Sequence, residues 1–436
     1  MAKLQPYQKY YPVAYDYASQ LPDGWLLLPN IAIFQERKER GTENEETLSI
    51  SAIRGIVKSS DYENRKDRTS DDKSQYLLVK EGDLAYNTML MWDGAVGHSA
   101  FRGIVSPAYT VLKAKMKINP KYFHYQMRTE FYKNYSRRFS YGIVDARLRL
   151  YYVHFKRMYS IVPPLEVQNS IAAYLDKKNN EIDKFIRNKE RLIELLEEQL
   201  LYKINEALIV GLNQYSEFKT TTIANIPKIP IHWEIKKFKW LTSILSCGYA
   251  STPEYVDEEK GVAFLSAQNC RPFKMDFNKF NYISSSLHKK LTQNKKPKRG
   301  DVLVTRVGAG IGDACVVDTD LEFSVYVSLT HIRTTKEILS DYVVYFFKTQ
   351  YCIQLNSEGT IEAGGQGNLN VKNVEKYRIP LPPINEQKEI CKYLDIERAK
   401  INTAISKAQK EISAIIEYRE ALITDLVTGK RKVSEL

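Results

Sequence analysis

Ile161-Val162-Pro163-Pro164-Leu165-Glu166-Val167-Gln168, followed by Ile171, Tyr174, Leu175 and Asp176, returns later in the chain. The second copy reads Ile379-Pro380-Leu381-Pro382-Pro383-Ile384-Asn385-Glu386-Gln387, followed by Ile390, Tyr393, Leu394 and Asp395. The offset holds at 219 through the stretch (383 against 164, 387 against 168, 395 against 176). In a chain of 436 residues that period is half the length, so the protein is a tandem of two similar halves rather than a solenoid of short repeats.

Each copy runs on into a long apolar periodicity. Ile390, Leu394, Ile401, Ile405, Ala408, Ile412, Ile415, Leu422 and Leu426 follow a heptad a/d seam. Ile171, Leu175, Ile182, Ile186, Ile193 and Leu196 match it in the first copy and continue with Leu200, Ile204 and Leu208. The Pro-Pro pairs block helix upstream, and Gly211 and Gly429 are expected to end the two helices. About 45 residues each, at 1.5 Å per residue, makes rods of roughly 65 Å. Matching seams predict an antiparallel coiled coil, with Ile182, Ile186, Ile193, Leu196, Ile401, Ile405, Ile412 and Ile415 as pairing residues. A dimerisation arm is the competing reading. Lys189 falls on the seam where the second copy has Ala408, a place for a register-setting polar residue or one that snorkels to water.

The parts between the helices repeat as well. Leu21-Pro22-Asp23-Gly24-Trp25 answers Ile229-Pro230-Ile231-His232-Trp233, and Lys80-Glu81-Gly82-Asp83-Leu84-Ala85-Tyr86 answers Lys298-Arg299-Gly300-Asp301-Val302-Leu303-Val304. Strand-like runs alternate with Gly- and Asn-bearing turns. The expected fold is α+β: two β-rich mixed α/β domains in tandem, each followed by a long helix. Residues 1–160 hold an N-terminal arm and the first domain, 161–211 the central helix and 212–228 a linker. Residues 229–379 hold the second domain, 380–429 the C-terminal helix and 430–436 a basic tail. The Tyr-rich opening (Tyr7, Tyr10, Tyr11, Tyr15, Tyr17) is expected to pack on the other half.

Composition narrows the partner. A hydrophobic fraction of 43% supports packed cores, and a net charge of +12 points to a polyanion. No apolar run reaches the length of a membrane span, and the start lacks the apolar core of a signal peptide, so a cytoplasmic protein binding nucleic acid is expected, with no membrane partner. The five cysteines form no C-x-x-C pair and the six histidines are dispersed, which supports no metal site.

The candidate DNA-binding residues lie in loop-like stretches: Arg54, Lys58, Arg65, Lys66, Arg68, Trp92, Arg147 and Arg149 in the first half. Arg271, Lys274, Lys298, Arg306, Gln366 and Asn368 are their counterparts in the second. Lys and Arg hold phosphates, Arg, Asn and Gln read base edges, and aromatics stack. No catalytic residue is assigned. Gly308-Ala309-Gly310-Ile311-Gly312 precedes a strand-like run, whereas a phosphate cradle needs a helix there. Ser106-Pro107-Ala108-Tyr109 misses the second proline of the tetrapeptide of amino-methyltransferases, which methylate amino groups, and reads as a tight turn. A stand-alone DNA methyltransferase therefore lacks its motifs, and a non-specific coiled-coil scaffold leaves two basic globules without a purpose.

The duplicated Pro-Pro-x-x-x-Gln phrase with its helix, the twin openings at Trp25 and Trp233, Gly300–Gly308 and Gly103–Tyr109 resemble the specificity subunits of type I restriction–modification enzymes over nearly the whole chain. One departure is Val167-Gln168, where the second copy has Glu386-Gln387. The resemblance implies two target recognition domains, each reading one half of a bipartite asymmetric site on double-stranded DNA, with the helices setting the gap. It also implies two methylase subunits docked on the helices and separate motor/endonuclease subunits. S-adenosylmethionine, ATP and Mg are then expected on those partners, with no cofactor on this chain.

Overall fold

The computed structural model describes residues 4–15, 18–42, 44–52, 55–61, 72–142, 148–213, 216–223, 225–308, 310–363 and 366–433. The chain divides into two compact units. One joins Met1–Lys189 to Gln409–Leu436, and the other is Glu190–Ala408. Both boundaries fall inside the long helices, Leu165–Ile209 and Ile384–Val427.

In the first unit a four-stranded antiparallel sheet runs in the order Phe34–Glu36, Tyr109–Ala114, Leu84–Asn87, Val96–His98. Its centre, Leu84–Asn87, is buried on both faces, as its unbroken apolar start dictates. Trp25, Phe34, Tyr86, Tyr122, Phe123 and Phe155 fill the core. The strand Tyr159–Val162 pairs with Leu26–Pro29 and delivers the chain to the Pro-Pro turn and the central helix. Leu422, Leu426 and Val427, from the far end of the C-terminal helix, complete this core, and Tyr122 donates to the Val427 carbonyl at 3.0 Å.

The Tyr-rich opening forms a hairpin, Tyr10–Tyr15 with Ala18–Pro22. It packs on Trp25, with Tyr7 edge-on at 5.5 Å, and Tyr10 donates to the Gly429 carbonyl at 3.1 Å. Its partner is therefore the end of the second long helix, which belongs to the other half of the sequence, as expected, and lies within the same unit; Tyr17 lies outside the described residues.

The second unit repeats the sheet: Thr242–Cys247, Leu329–Thr334, Val302–Thr305, Ala314–Val316, all antiparallel. A second sheet adds Tyr255–Val256, Asn281–Ser284, Gly261–Leu265 and Phe323–Val325, the last pair parallel. The stretch expected as a linker, 212–228, carries the strand Phe218–Ile223, which pairs with Ile226–Pro230. Its threonines are β-branched and suit a half-exposed strand. Phe218 faces Pro230 as Tyr10 faces Pro22, so the two hairpins are the same element written twice.

The long helices pair antiparallel within each unit. In the first, Asp183 meets Arg419 and Lys189 meets Glu411, so the first helix advances as its partner recedes. In the second, Lys203 meets Glu397 at 3.2 Å, beside a core containing Ile204, Leu208, Ile390 and Leu394. Of the pairing residues, Ile182 and Ile401 are fully buried, while Ile186, Ile193, Leu196, Ile405, Ile412 and Ile415 are half-buried, as a seam between only two helices requires. Lys189 stays on the seam by ion-pairing to Glu411 at 2.6 Å with its ammonium 5.3 Å from the Phe185 ring. Among the described residues no helix is long and apolar enough to cross a membrane.

Candidate nucleic-acid interface

The repeated Gly-Asp turn fixes the frame of each globule. Gly300 takes φ +89°, and Asp301, buried behind it, accepts from the Lys298 main-chain N–H at 2.8 Å, His331 at 2.7 Å and Arg333 at 2.8 Å. Burial alone would raise the Asp301 pKa, but the bonds from His331 and Arg333 overcome it and hold it at about 2. In the first unit Gly82 takes φ +85°, and Asp83 accepts from the Lys80 N–H at 2.9 Å and from both forks of Arg37 at 2.7 and 2.9 Å. The arginine comes from a different strand, yet the anchor is the same.

Each turn aims a buried strand at a loop, 88–92 in the first unit and 306–312 in the second. Against each loop lies a pinched segment. In the first unit, Tyr141 and Arg149 exchange both main-chain bonds, at 3.0 and 2.9 Å, and the Leu150 N–H donates to the Thr88 carbonyl at 2.8 Å. In the second, Thr360–Ala363 pairs with Gln366–Leu369, and the Leu369 N–H donates to the Arg306 carbonyl at 2.8 Å. The two motifs that resembled enzyme signatures are structural. Ser106–Tyr109 is a tight turn closed at 3.0 Å, and the Gly-rich 308–312 run leads to the strand Ala314–Val316.

Arg306 is corrected from a surface contact to an internal clamp. It is 8% exposed, and its guanidinium donates to the Leu369 carbonyl at 3.0 Å, the Val327 carbonyl at 3.4 Å and the Asn368 side chain at 2.8 Å. A guanidinium already satisfied by protein acceptors has little left for phosphate. Trp92 is half-buried: its indole donates to the Met89 carbonyl at 2.8 Å and Arg137 lies over its ring at 5.7 Å.

Other candidates are on the surface. Arg149 and Asn368 are exposed in the two pinched segments. Arg271 and Lys274 are exposed opposite each other in a two-residue ladder, with Asp276 at 3.5 Å from Arg271. Lys298 is exposed, while Lys58 lies 5.4 Å from the Phe101 ring. Gln366 is described only in its backbone, as part of the strand Gln366–Leu369. Arg54, Arg65, Lys66, Arg68 and Arg147 lie outside the described residues.

The first unit brings Arg149 into an open cleft of about 1140 Å³ together with Lys38, Lys113, Lys156, Tyr109 and Tyr151. Its two glutamates are answered from within: Glu36 by Lys38 at 3.5 Å, Glu39 by Arg37 and Lys80 at 3.0 Å each. Cations with aromatic neighbours in such a cleft can hold phosphate and stack on sugars or bases. The three lysines were missed in the sequence because they are far apart along it. Strand register sets Lys113 opposite Gln35, and the Ile31 N–H donating to the Lys156 carbonyl at 3.0 Å brings Lys156 beside them.

Residues 255–412 match the model of the type I restriction modification DNA specificity domain. The specificity subunit of the type I restriction enzyme MjaVIII of Methanocaldococcus jannaschii is 26% identical over 83% of this chain and 81% of its own length. That of the type I restriction enzyme EcoKI of Escherichia coli K12 is 22% identical over 96% of this chain and 95% of its own. In fold, a chain solved in a study of complex assembly and conformational transition of the type I R-M system aligns with TM-score 0.72 and 16% identity, over 94% of this chain and 99% of that one. The HsdS subunit from Thermoanaerobacter tengcongensis aligns at 0.55 and 16%, over 96% and 99%. That domain lies in the second half of the chain, and along nearly its whole length the chain is similar to specificity subunits of type I restriction–modification enzymes.

Proposed function

We propose that this chain is the DNA-recognition subunit of a type I restriction–modification complex, each unit's globule reading one part of an asymmetric, bipartite site on double-stranded DNA. The observation that carries this reading is the twofold frame: the same four-stranded sheet, the same Gly-Asp anchor and the same pinched segment, offered twice with different exposed side chains. Two copies of one frame with unlike surfaces suit two unlike half-sites. In this reading the helix pair sets the unspecified gap, and half-sites read from one face of B-DNA are centred about one turn, roughly 10 bp, apart.

Methylase and motor/endonuclease subunits are the protein partners of this reading, with two methylases per chain. Exposed apolar side chains on the long helices support docking there: Phe185, Ile416 and Tyr418 in the first unit, and Leu192, Leu195, Tyr202 and Ile396 in the second. The chain itself is non-catalytic, and S-adenosylmethionine, ATP and Mg belong to the partners. A complex of this chain with the methylase of its own operon is expected to methylate adenine within a single split motif of two short blocks and a fixed gap. Genome-wide mapping of methylated adenine checks it, and a stable complex that leaves no motif would overturn the reading.

A further inference from the structure

The two frames keep step closely from helix Glu130–Arg138 against Gln350–Glu358, through Tyr152–Phe155 against Val371–Val374, to Tyr159–Val162 against Arg378–Leu381. They part company in the pinched segments between. On the inner side both are fixed alike, by buried Leu150 and Leu369 and their N–H bonds to Thr88 and Arg306. On the outer side the described residues differ. Tyr141, 61% exposed, and Arg149 face solvent in the first, and Asn368 does so in the second. A constant inner anchor beneath different exposed polar side chains is what a reader of two different half-sites needs.

Resting on the function proposed above, we propose that the described ends of these segments determine specificity, with Arg149 reading a base edge of one half-site and Asn368 a base edge of the other. Arg149 stands at the rim of the basic cleft and, among the described residues, its side chain makes only a 3.4 Å contact to the Tyr151 hydroxyl, which leaves its fork available for guanine O6 and N7. Asn368 is more constrained. Its Oδ1 accepts from Arg306 at 2.8 Å, and because arginine can only donate, the amide is held one way round. The Asn368 NH2 is then the group presented outwards. It calls for a single acceptor, guanine O6 or N7, adenine N7 or thymine O4, instead of the two-bond pairing of a free amide with adenine. Arg306 is accordingly a positioning residue: it orients Asn368 from below.

The test uses the full chain with its operon methylase and reads the methylated motif. Asn368→Asp keeps an acceptor for Arg306 and removes the outward donor. It is expected to disfavour the original base at one position of one block by about tenfold or more. Arg149→Gln is expected to do the same in the other block only. Arg306→Lys, which cannot hold the amide in the same fork, should relax the Asn368 position while leaving the Arg149 block untouched. Equal melting temperatures for these variants and the parent keep the comparison valid, and a Tyr141–Arg149 segment replacement serves as a second probe if Arg149→Gln unfolds. A parental motif that survives both Asn368→Asp and Arg149→Gln unchanged, or weakens evenly in both blocks, overturns the assignment of these segments alone. A parental complex with no motif overturns the DNA-reading function itself.

Discussion

Gln168 and Gln387 close the same joint in the two units. Gln168 donates to the Pro163 carbonyl and accepts the Asn119 N–H, both at 2.8 Å. Gln387 donates to Pro382 and Glu337 carbonyls and accepts the Leu339 N–H, all at 2.9 Å. Both amides are buried, so an alanine would strand main-chain groups away from water. Gln387→Ala is expected to destabilise the second unit by about 1–3 kcal/mol. Urea unfolding measures it, and a loss within error of zero would show that water replaces the amide. Asp301 gives a pH signature at the same scale. A carboxylate held at about 2 binds fewer protons folded than unfolded. Its contribution is thus complete above the ordinary carboxylate range near pH 4 and is lost as pH falls from there to about 2. Asp301→Asn should lower stability at pH 7 by about 2 kcal/mol and flatten the acid limb of the stability curve. An unchanged acid limb would mean that other carboxylates set it.

At the scale of elements, the helix ends are matched but not equally tolerant. Gly211 and Gly429 both take left-handed φ, +84° and +73°, as helix-terminating glycines do. A Cβ at Gly211 would come 3.2 Å from the Trp233 ring, whereas at Gly429 it would come 2.5 Å from the rigid ring of Pro22. Gly211→Ala is expected to lose about 1 kcal/mol from backbone strain. Gly429→Ala should lose visibly more, and thermal melts of the pair check it; equal losses would show that the arm carrying Pro22 gives way freely. Both glycines, the helices and their antiparallel pairing were legible from apolar spacing, because a long heptad seam admits few alternatives. The hairpin at Phe218–Ile223 was not, since a run of threonines reads equally as linker or strand until Ile226–Pro230 pairs with it. Arg306 was misjudged for a related reason: one arginine in a Gly-rich stretch carries no sign of the Leu369 and Asn368 acceptors that bury it. The cleft lysines were invisible because tertiary pairing, Lys113 by strand register and Lys156 by its bond to Ile31, assembles them rather than sequence proximity.

At the scale of the whole molecule, each unit is assembled from both halves of the sequence. Each unit holds an arm hairpin, a globule, the start of one long helix and the end of the other. The tryptophan after each hairpin packs at the glycine that ends a helix, Trp233 on Gly211 and Trp25 on Gly429. At the first of these joints the chain is continuous through 211–217. At the second the same joint is made without a peptide link, by the Lys432 N–H donating to the Gln5 carbonyl at 2.6 Å and Tyr10 donating to Gly429. Continuity and contact are thus interchangeable at equivalent places. A circular permutant that joins the two ends of this sequence through a short Gly/Ser linker and opens between Gly211 and Glu217 should therefore fold, because no buried bond among the described residues is cut and the new link spans Gln5 and Lys432, already in contact. It should assemble with the operon methylase and leave the parental motif, with both blocks and the gap unchanged. The physical reason is that the frame of each globule is set inside its own unit, by the Gly-Asp anchor, the buried glutamine and the glycine cap, none of which depends on which joint carries the covalent bond. A permutant that folds yet methylates with a different gap would show instead that the link at 211–217 holds the helix register.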